Sequence, residues 1–226
     1  MRKQTHQRGR SEKRDVYLSA FRRNVHKLIG MGYARLTPAN FATSEEPTIT
    51  GELVRAMYNV MESTDAPSWV VHYELPKDDH PMNVPGRQGK SRLRIDIEFR
   101  RVQRGPRPLF RFEAKRLESK NHPVSVYLGE EGLGCFLAGL YPTTHPEAGM
   151  IGYVQTDDEI TWASKIKESL ENNGCKYCVS EDGQWVKGKI VTNLKHTYQT
   201  RHNIGGNADS LTVYHTLLLF HGIENP

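Results

Sequence analysis

The chain has 226 residues, 25% of them charged and 37% apolar, with a net charge of +5. That length buries a full core within one domain. A mean hydropathy of −0.64, with no apolar run near the ~18 residues of a membrane span, points away from an integral membrane protein. Three cysteines leave one over from any pairing and suit a reducing, cytoplasmic setting.

The charge is uneven along the chain. Residues 1–35 carry ten Lys/Arg against two acids, and residues 85–120 carry twelve against four, so each stretch is +8 and the remainder is −11. Such gathering is expected of a protein that takes a phosphate backbone. The basic N-terminus has no apolar segment behind it, so a secretory leader is not expected. Residues 1–14, MRKQTHQRGRSEKR, are polar enough for a basic disordered tail. Residues 15–226 then form a single domain, with a core at about 51–155 and a C-terminal elaboration at 156–226.

Asp15 is placed to cap a helix running to Met31, with Val16, Ala20, Phe21, Val25, Leu28 and Ile29 as its apolar stripe and Arg22, Arg23, His26 and Lys27 on its wet face. Thr48 is placed to cap a second helix ending near Ser63, with Glu52 in its first turn and Leu53, Met57, Val60 and Met61 facing inward. Ser68–Leu75 reads as a strand. Residues 76–91, rich in Pro, Gly and charge, read as a loop.

The stretch Ser91–Leu117, SRLRIDIEFRRVQRGPRPLFRFEAKRL, reads as two strands about a Pro/Gly turn. In Arg92–Arg100, Leu93, Ile95, Ile97 and Phe99 alternate with Arg94, Asp96 and Glu98, the period of a half-buried strand. The turn is Arg104–Pro108. In Leu109–Lys115, Phe110, Phe112 and Ala114 take one face and Arg111, Glu113 and Lys115 the other. Paired as a hairpin, the two strands bring Asp96, Glu113 and Lys115 to one face. Two neighbouring carboxylates repel and are held together by a divalent cation, for which hard oxygen ligands suit Mg²⁺ or Mn²⁺. A lysine beside them orients a water for attack on a phosphate.

Asp96 followed by Glu113-Ala114-Lys115, on two strands of alternating pattern, resembles the PD-(D/E)XK nuclease superfamily, the restriction-endonuclease-like proteins. The resemblance covers roughly Gly51 to Gln155 and departs from the family in having Ile95 where Pro is frequent before the first acid. It implies an α/β domain with a central mixed sheet flanked by helices. It also implies Mg²⁺ or Mn²⁺ held by Asp96 and Glu113, and Lys115 activating the water. Glu52 would be the glutamate that many members carry on the helix before the sheet. The activity implied is metal-dependent endonucleolytic hydrolysis of DNA, of the kind found in bacterial restriction or antiviral defence. The alternatives are an RNA- or structure-selective nuclease and a nuclease-like binding subunit. Expected partners are DNA or RNA, with a homodimer or a multi-protein defence complex as the assembly and no membrane.

Beyond the hairpin, Gly129–Tyr141 reads as a helix, Ala148–Gln155 as a buried central strand and Asp157–Asn173 as a capped helix with Ile160, Ala163, Ile166 and Leu170 inward. Lys176–Ser180 and Trp185–Thr192 read as short strands, Leu194–Asn203 as a polar loop, and Leu211–Phe220 as a last strand or a short buried helix. Arg94, Arg111, Arg116, Gln155 and His202 are candidate contacts to nucleic acid. Cys175, Cys178, His196 and His202 have zinc-ligand chemistry, but the spacing lies outside the usual range. No phosphate-cradling Gly-Lys-Ser/Thr loop and no nucleophile elbow is present.

Overall fold

A computed structural model describes residues 2–82, 93–102, 107–141, 143, 145–204 and 210–222, with the backbone alone for 2–14. The expected turn at 104–108 and the loop at 76–91 fall partly outside these residues. Helices α1 (Arg2–Tyr33) and α2 (Glu46–Met61) precede strands β1 (Lys77–Pro81), β2 (Arg94–Arg100) and β3 (Leu109–Leu117). Short helices α3 (Val124–Tyr127) and α4 (Leu133–Leu137) lead to β4 (Glu147–Val154), and α5 (Glu159–Asn172) to β5 (Val186–Lys187), β6 (Thr197–Asn203) and β7 (Ser210–Leu219).

All seven strands join one mixed sheet in the order β1-β2-β3-β4-β7-β6-β5. The central strands β3, β4 and β7 run parallel, and the outer pairings are antiparallel. Helices cover both faces, so the fold is α/β. On one side Phe21, Val25, Leu28 and Ile29 of α1, with Leu53, Met57 and Val60 of α2, pack on Ile97, Phe99, Phe110 and Phe112. On the other, Tyr127, Leu133, Phe136, Trp162, Ile166 and Leu170 pack on Met150, Val154 and Val213. Each large side chain so buried contributes about 1.5–3 kcal/mol. Gly149 is required where β4 passes β3, because a Cβ there would lie 2.1 Å from the Phe112 ring.

The hairpin forms as its alternation predicts, with Ile97 opposite Phe112, Glu98 opposite Arg111 and Phe99 opposite Phe110. Several other elements differ from the sequence reading. The backbone is helical from Arg2, so α1 does not begin at Asp15. Val16 is exposed, whereas His26 is fully buried among Phe110, Phe112 and Tyr214, where burial lowers its pKa to about 4. Ser68–His72 is a 3-10 turn after Pro67 with only Val70 buried, and the first strand is Lys77–Pro81. Of the expected helix at 129–141 only Leu133–Leu137 is helical; the chain turns tightly before it, where a Cβ on Gly132 would sit 2.2 Å from the Tyr127 carbonyl oxygen. In α5, capped by Asp158 accepting from the Thr161 N–H, Trp162 turns inward and Ile160 outward.

The C-terminal stretch is no appendage to the sheet. β7 lies beside β4 at its centre, and the expected polar loop at 194–203 is strand β6. Thr197, Thr200 and His202 of this strand are buried, each with partners for its polar atoms. The Thr200 hydroxyl lies 2.7 Å from His202 Nε2 and 2.8 Å from His215 Nε2, and the Tyr127 hydroxyl lies 3.0 Å from His215 Nδ1. Such a network is stable inside a core only when every member finds a partner.

Candidate active site

The central site is built where β2 and β3 part. The Asp96 carboxylate takes the place of a backbone partner there, accepting the Ala114 N–H at 2.6 Å. Glu113 and Lys115 flank Ala114 on the opposite face of β3, so the apolar residue is buried in the core and the two polar ones project together. Lys115 Nζ donates to Glu113 Oε1 at 2.7 Å and to Glu46 Oε1 at 2.9 Å. Glu46 Oε2 in turn accepts the Arg116 N–H at 3.1 Å. Tyr141 closes one wall, its hydroxyl donating to the Arg94 carbonyl at 2.8 Å.

The electrostatics are strained toward negative charge. Burial pushes Asp96 up to about 6, with Lys115 and the Ala114 N–H offsetting part of the effect. Burial and then the repulsion of Asp96 push Glu113 up to about 8, although Lys115 is in contact. Burial alone would lower Lys115, but the charges of Glu113, Glu46 and Asp96 outweigh it and hold the ammonium well above its ordinary pKa. Lys115 is therefore held as a cation and hydrogen-bond donor. Glu113 Oε2 is buried with no hydrogen-bond partner, a costly state for a carboxylate oxygen.

That orphaned oxygen beside a second carboxylate fits a hard divalent cation. Among the described residues no three Asp, Glu, His or Cys side chains cluster closely enough to hold an ion by themselves. Mg²⁺ tolerates this, since it commonly binds through one or two carboxylates and completes its octahedron with waters and substrate phosphate oxygens.

Asp96, Glu113 and Lys115 are thus brought together, and Glu52 is not part of the group. Glu52 pairs with Arg55 on the same helix, and the helix residue that reaches Lys115 is Glu46. The cause is the helix start. Glu45 is the N-cap and Pro47 lies in the first turn, so α2 begins ahead of Thr48. The Pro47 ring, preorganised for a first helical turn, was the signal in the sequence for that start.

The candidate nucleic-acid contacts separate in the same way. Arg111 is buried and bonded to Glu98. Gln155 is buried, its Nε2 donating to the carbonyls of Phe41 and Ser44, which pins the segment leading to Glu46. His202 is fully buried in the Thr200 network. Arg116 is mostly covered and holds Glu45 and the Ser44 carbonyl. These four serve the fold rather than an outer surface. Arg94 alone of the five is exposed, paired with Asp79. Cys175 and Cys178 are exposed free thiols, and neither belongs to a metal-binding group among the described residues.

Comparison with protein-family models, curated proteins and solved structures found no match to this chain.

Proposed function

We propose that this chain is a Mg²⁺- or Mn²⁺-dependent nuclease that hydrolyses DNA phosphodiester bonds at the Asp96–Glu113–Lys115 site. The observation that carries the reading is the pair of buried carboxylates, one with an unpartnered oxygen, against a lysine held as a cation. Its kinship is with the PD-(D/E)XK pattern named above, and the mixed α/β sheet is compatible with it.

Asp96 and Glu113 would hold the cation, which supplies Lewis acidity to the scissile phosphate and to the attacking water. Ala114 fixes Asp96 through its N–H. Lys115 donates a hydrogen bond to the water or to a phosphoryl oxygen and stabilises charge developing there. Glu46 shares the ammonium with Glu113 and so aims it into the site. Arg116 holds Glu46 through its backbone and the 44–45 segment through its side chain, fixing the helix start against the strand.

The test is incubation of supercoiled plasmid, linear duplex, single-stranded DNA and single-stranded RNA with Mg²⁺, Mn²⁺ or EDTA. Metal-dependent cleavage of DNA by the wild type, absent in Lys115→Ala and Asp96→Asn, is the expected result. Cleavage undiminished in both variants would place any activity elsewhere. Cleavage of RNA alone would replace DNA as the substrate, and retained binding without cleavage would make the fold a binding module.

A further inference from the structure

The chain leaves α5 through one more turn, built on its own hydrogen bonds. The Tyr177 N–H donates to the Asn173 carbonyl at 3.2 Å, the Cys178 N–H to the Cys175 carbonyl at 3.3 Å, and the Val179 N–H to the Gly174 carbonyl at 2.9 Å. The last two are the nested pair of bonds that close a helical turn, and they put Cys178 where a left-handed glycine usually stands. Cys178 takes that conformation, with φ at 52°. Among the described residues the only other non-glycine residues with positive φ are Asp79 and Asp157. Aspartate tolerates the left-handed region because its short polar side chain bonds locally. Cysteine lacks that group, so Cys178 sits there against its local preference, the kind of outlier that gathers at functional positions.

The turn is tied to the sheet on both sides of this residue. Tyr177 is buried in the core under α5, and its carbonyl lies 2.8 Å from His202 Nδ1. The Cys178 carbonyl accepts the Asn203 N–H at 2.7 Å, and Val179 bridges to His202. Cys175 and Cys178 themselves remain exposed, whereas Cys135 is buried. A bond from the N–H of one residue to the carbonyl three before it holds their Cα atoms within ~7 Å, the limit within which a disulfide closes without moving the backbone. Two solvent-reachable thiols thus stand at the ends of one anchored turn. Two thiolates make only half of a tetrahedral zinc site, and no third Cys, His, Asp or Glu joins them among the described residues. The pair is suited to bonding with itself.

We propose that Cys175 and Cys178 form a redox-active dithiol that reacts with low-molecular-weight disulfides of the glutathione class and closes to an intramolecular disulfide. One thiolate attacks a sulfur of glutathione disulfide. That S–S bond breaks, and one glutathione leaves and takes up a proton as the thiol. The other thiolate then attacks the cysteine sulfur of the mixed disulfide, and the second glutathione leaves in the same way. The chain gives up two electrons and two protons, and one disulfide becomes two thiols. Closure is favoured over persistence of the adduct because the chain supplies the second thiol at high effective concentration. The product is exposed and spans a short loop, so it belongs to the labile disulfides that thiols reopen. The turn joins the end of β6, three strands from β3 and ~14 Å across the sheet, and the proposal does not rest on the nuclease reading.

The experiment is intact-mass measurement after the reduced, folded protein has met glutathione disulfide and been quenched in acid. The wild type should lose two hydrogens in mass and two thiols reactive toward N-ethylmaleimide, and it should carry no glutathione. Dithiothreitol should restore both. Cys175→Ser and Cys178→Ser should each stop at the mixed disulfide, heavier by one glutathionyl group. Cys178→Gly should abolish closure and leave the fold at least as stable in urea, because glycine suits the left-handed position. Loss of closure in that variant is then not a loss of folding. A glutathione adduct that persists in the wild type, no reaction at either thiol, or covalent dimers in place of closure would each overturn the proposal. So would undiminished closure in Cys175→Ser, which would assign the bond to Cys135.

Discussion

One hairpin carries two acid–base clusters two residues apart, and they are settled in opposite ways. Glu98 has no exposed side-chain surface, and it accepts from Arg100 Nε at 2.7 Å and Arg111 Nε at 2.9 Å. Burial pushes its pKa up, but the two guanidiniums outweigh it and the net shift is downward. Glu113 is also buried, yet it meets one ammonium that it shares with Glu46, and it faces a second acid in Asp96. Its shift is upward. The first cluster is a neutralised ion group that closes the sheet face. The second sets two acids beside one shared ammonium and leaves one carboxylate oxygen without a partner, the kind of perturbed group that gathers at functional sites.

The largest expected effect sharpens that contrast through chemistry. Lys115→Ala should lower metal-dependent cleavage on the order of 10²–10³-fold, the loss typical of removing one preorganised donor. Steady-state cleavage of plasmid measures it, and a loss below tenfold would deny Lys115 a direct part. Next comes the other cluster. Glu98→Gln should cost about 3 kcal/mol of stability by leaving two guanidiniums close together without their anion, read by urea denaturation. Near-neutral stability there would mean that the two clusters are not different in kind.

Binding of the proposed cation gives the third effect. At a hundredfold excess over its dissociation constant, Mg²⁺ or Mn²⁺ should stabilise the wild type by ~2.7 kcal/mol. The gain should vanish in Asp96→Asn and Glu113→Gln and persist in Glu98→Gln. Calorimetric melts with and without EDTA decide it. The fourth is a dependence on pH in EDTA. Because Glu113 is raised to about 8 and Asp96 to about 6, the folded state binds more protons than the unfolded state above pH ~5, and stability falls as the pH rises toward 8. Glu113→Gln should flatten most of that slope. A wild-type stability that rises over the same window would refute the upward shift.

The fold was legible where burial follows backbone period. The hairpin, β4, β7 and α5 appear in the sequence as alternating or helical apolar patterns, because one face of each meets a core. The SWVVHYEL stretch has the same look, but Pro67 before it and its place at the margin of the core turn it into a 3-10 turn with Val71 exposed. Strand β6 was hidden for the opposite reason. Its inward residues are Thr and His, and composition cannot tell a buried polar residue that finds a partner from an exposed one. His26 is a similar case, a polar position on α1 drawn into an aromatic cluster.

By itself the sequence determined that Asp96, Glu113 and Lys115 share a sheet face, since two alternating strands and a short turn leave little freedom in register. It also determined that positive charge gathers at the N-terminus and around the hairpin. Only the tertiary structure decided which further groups join the site. Glu46 and Tyr141 reach it from positions 69 and 47 residues distant from their partners, and Gln155 pins the segment before Glu46 from 111–114 residues away. Such meetings depend on where helices start and how layers pack, and no local period encodes them. The same packing set Arg111 and His202 inside the protein.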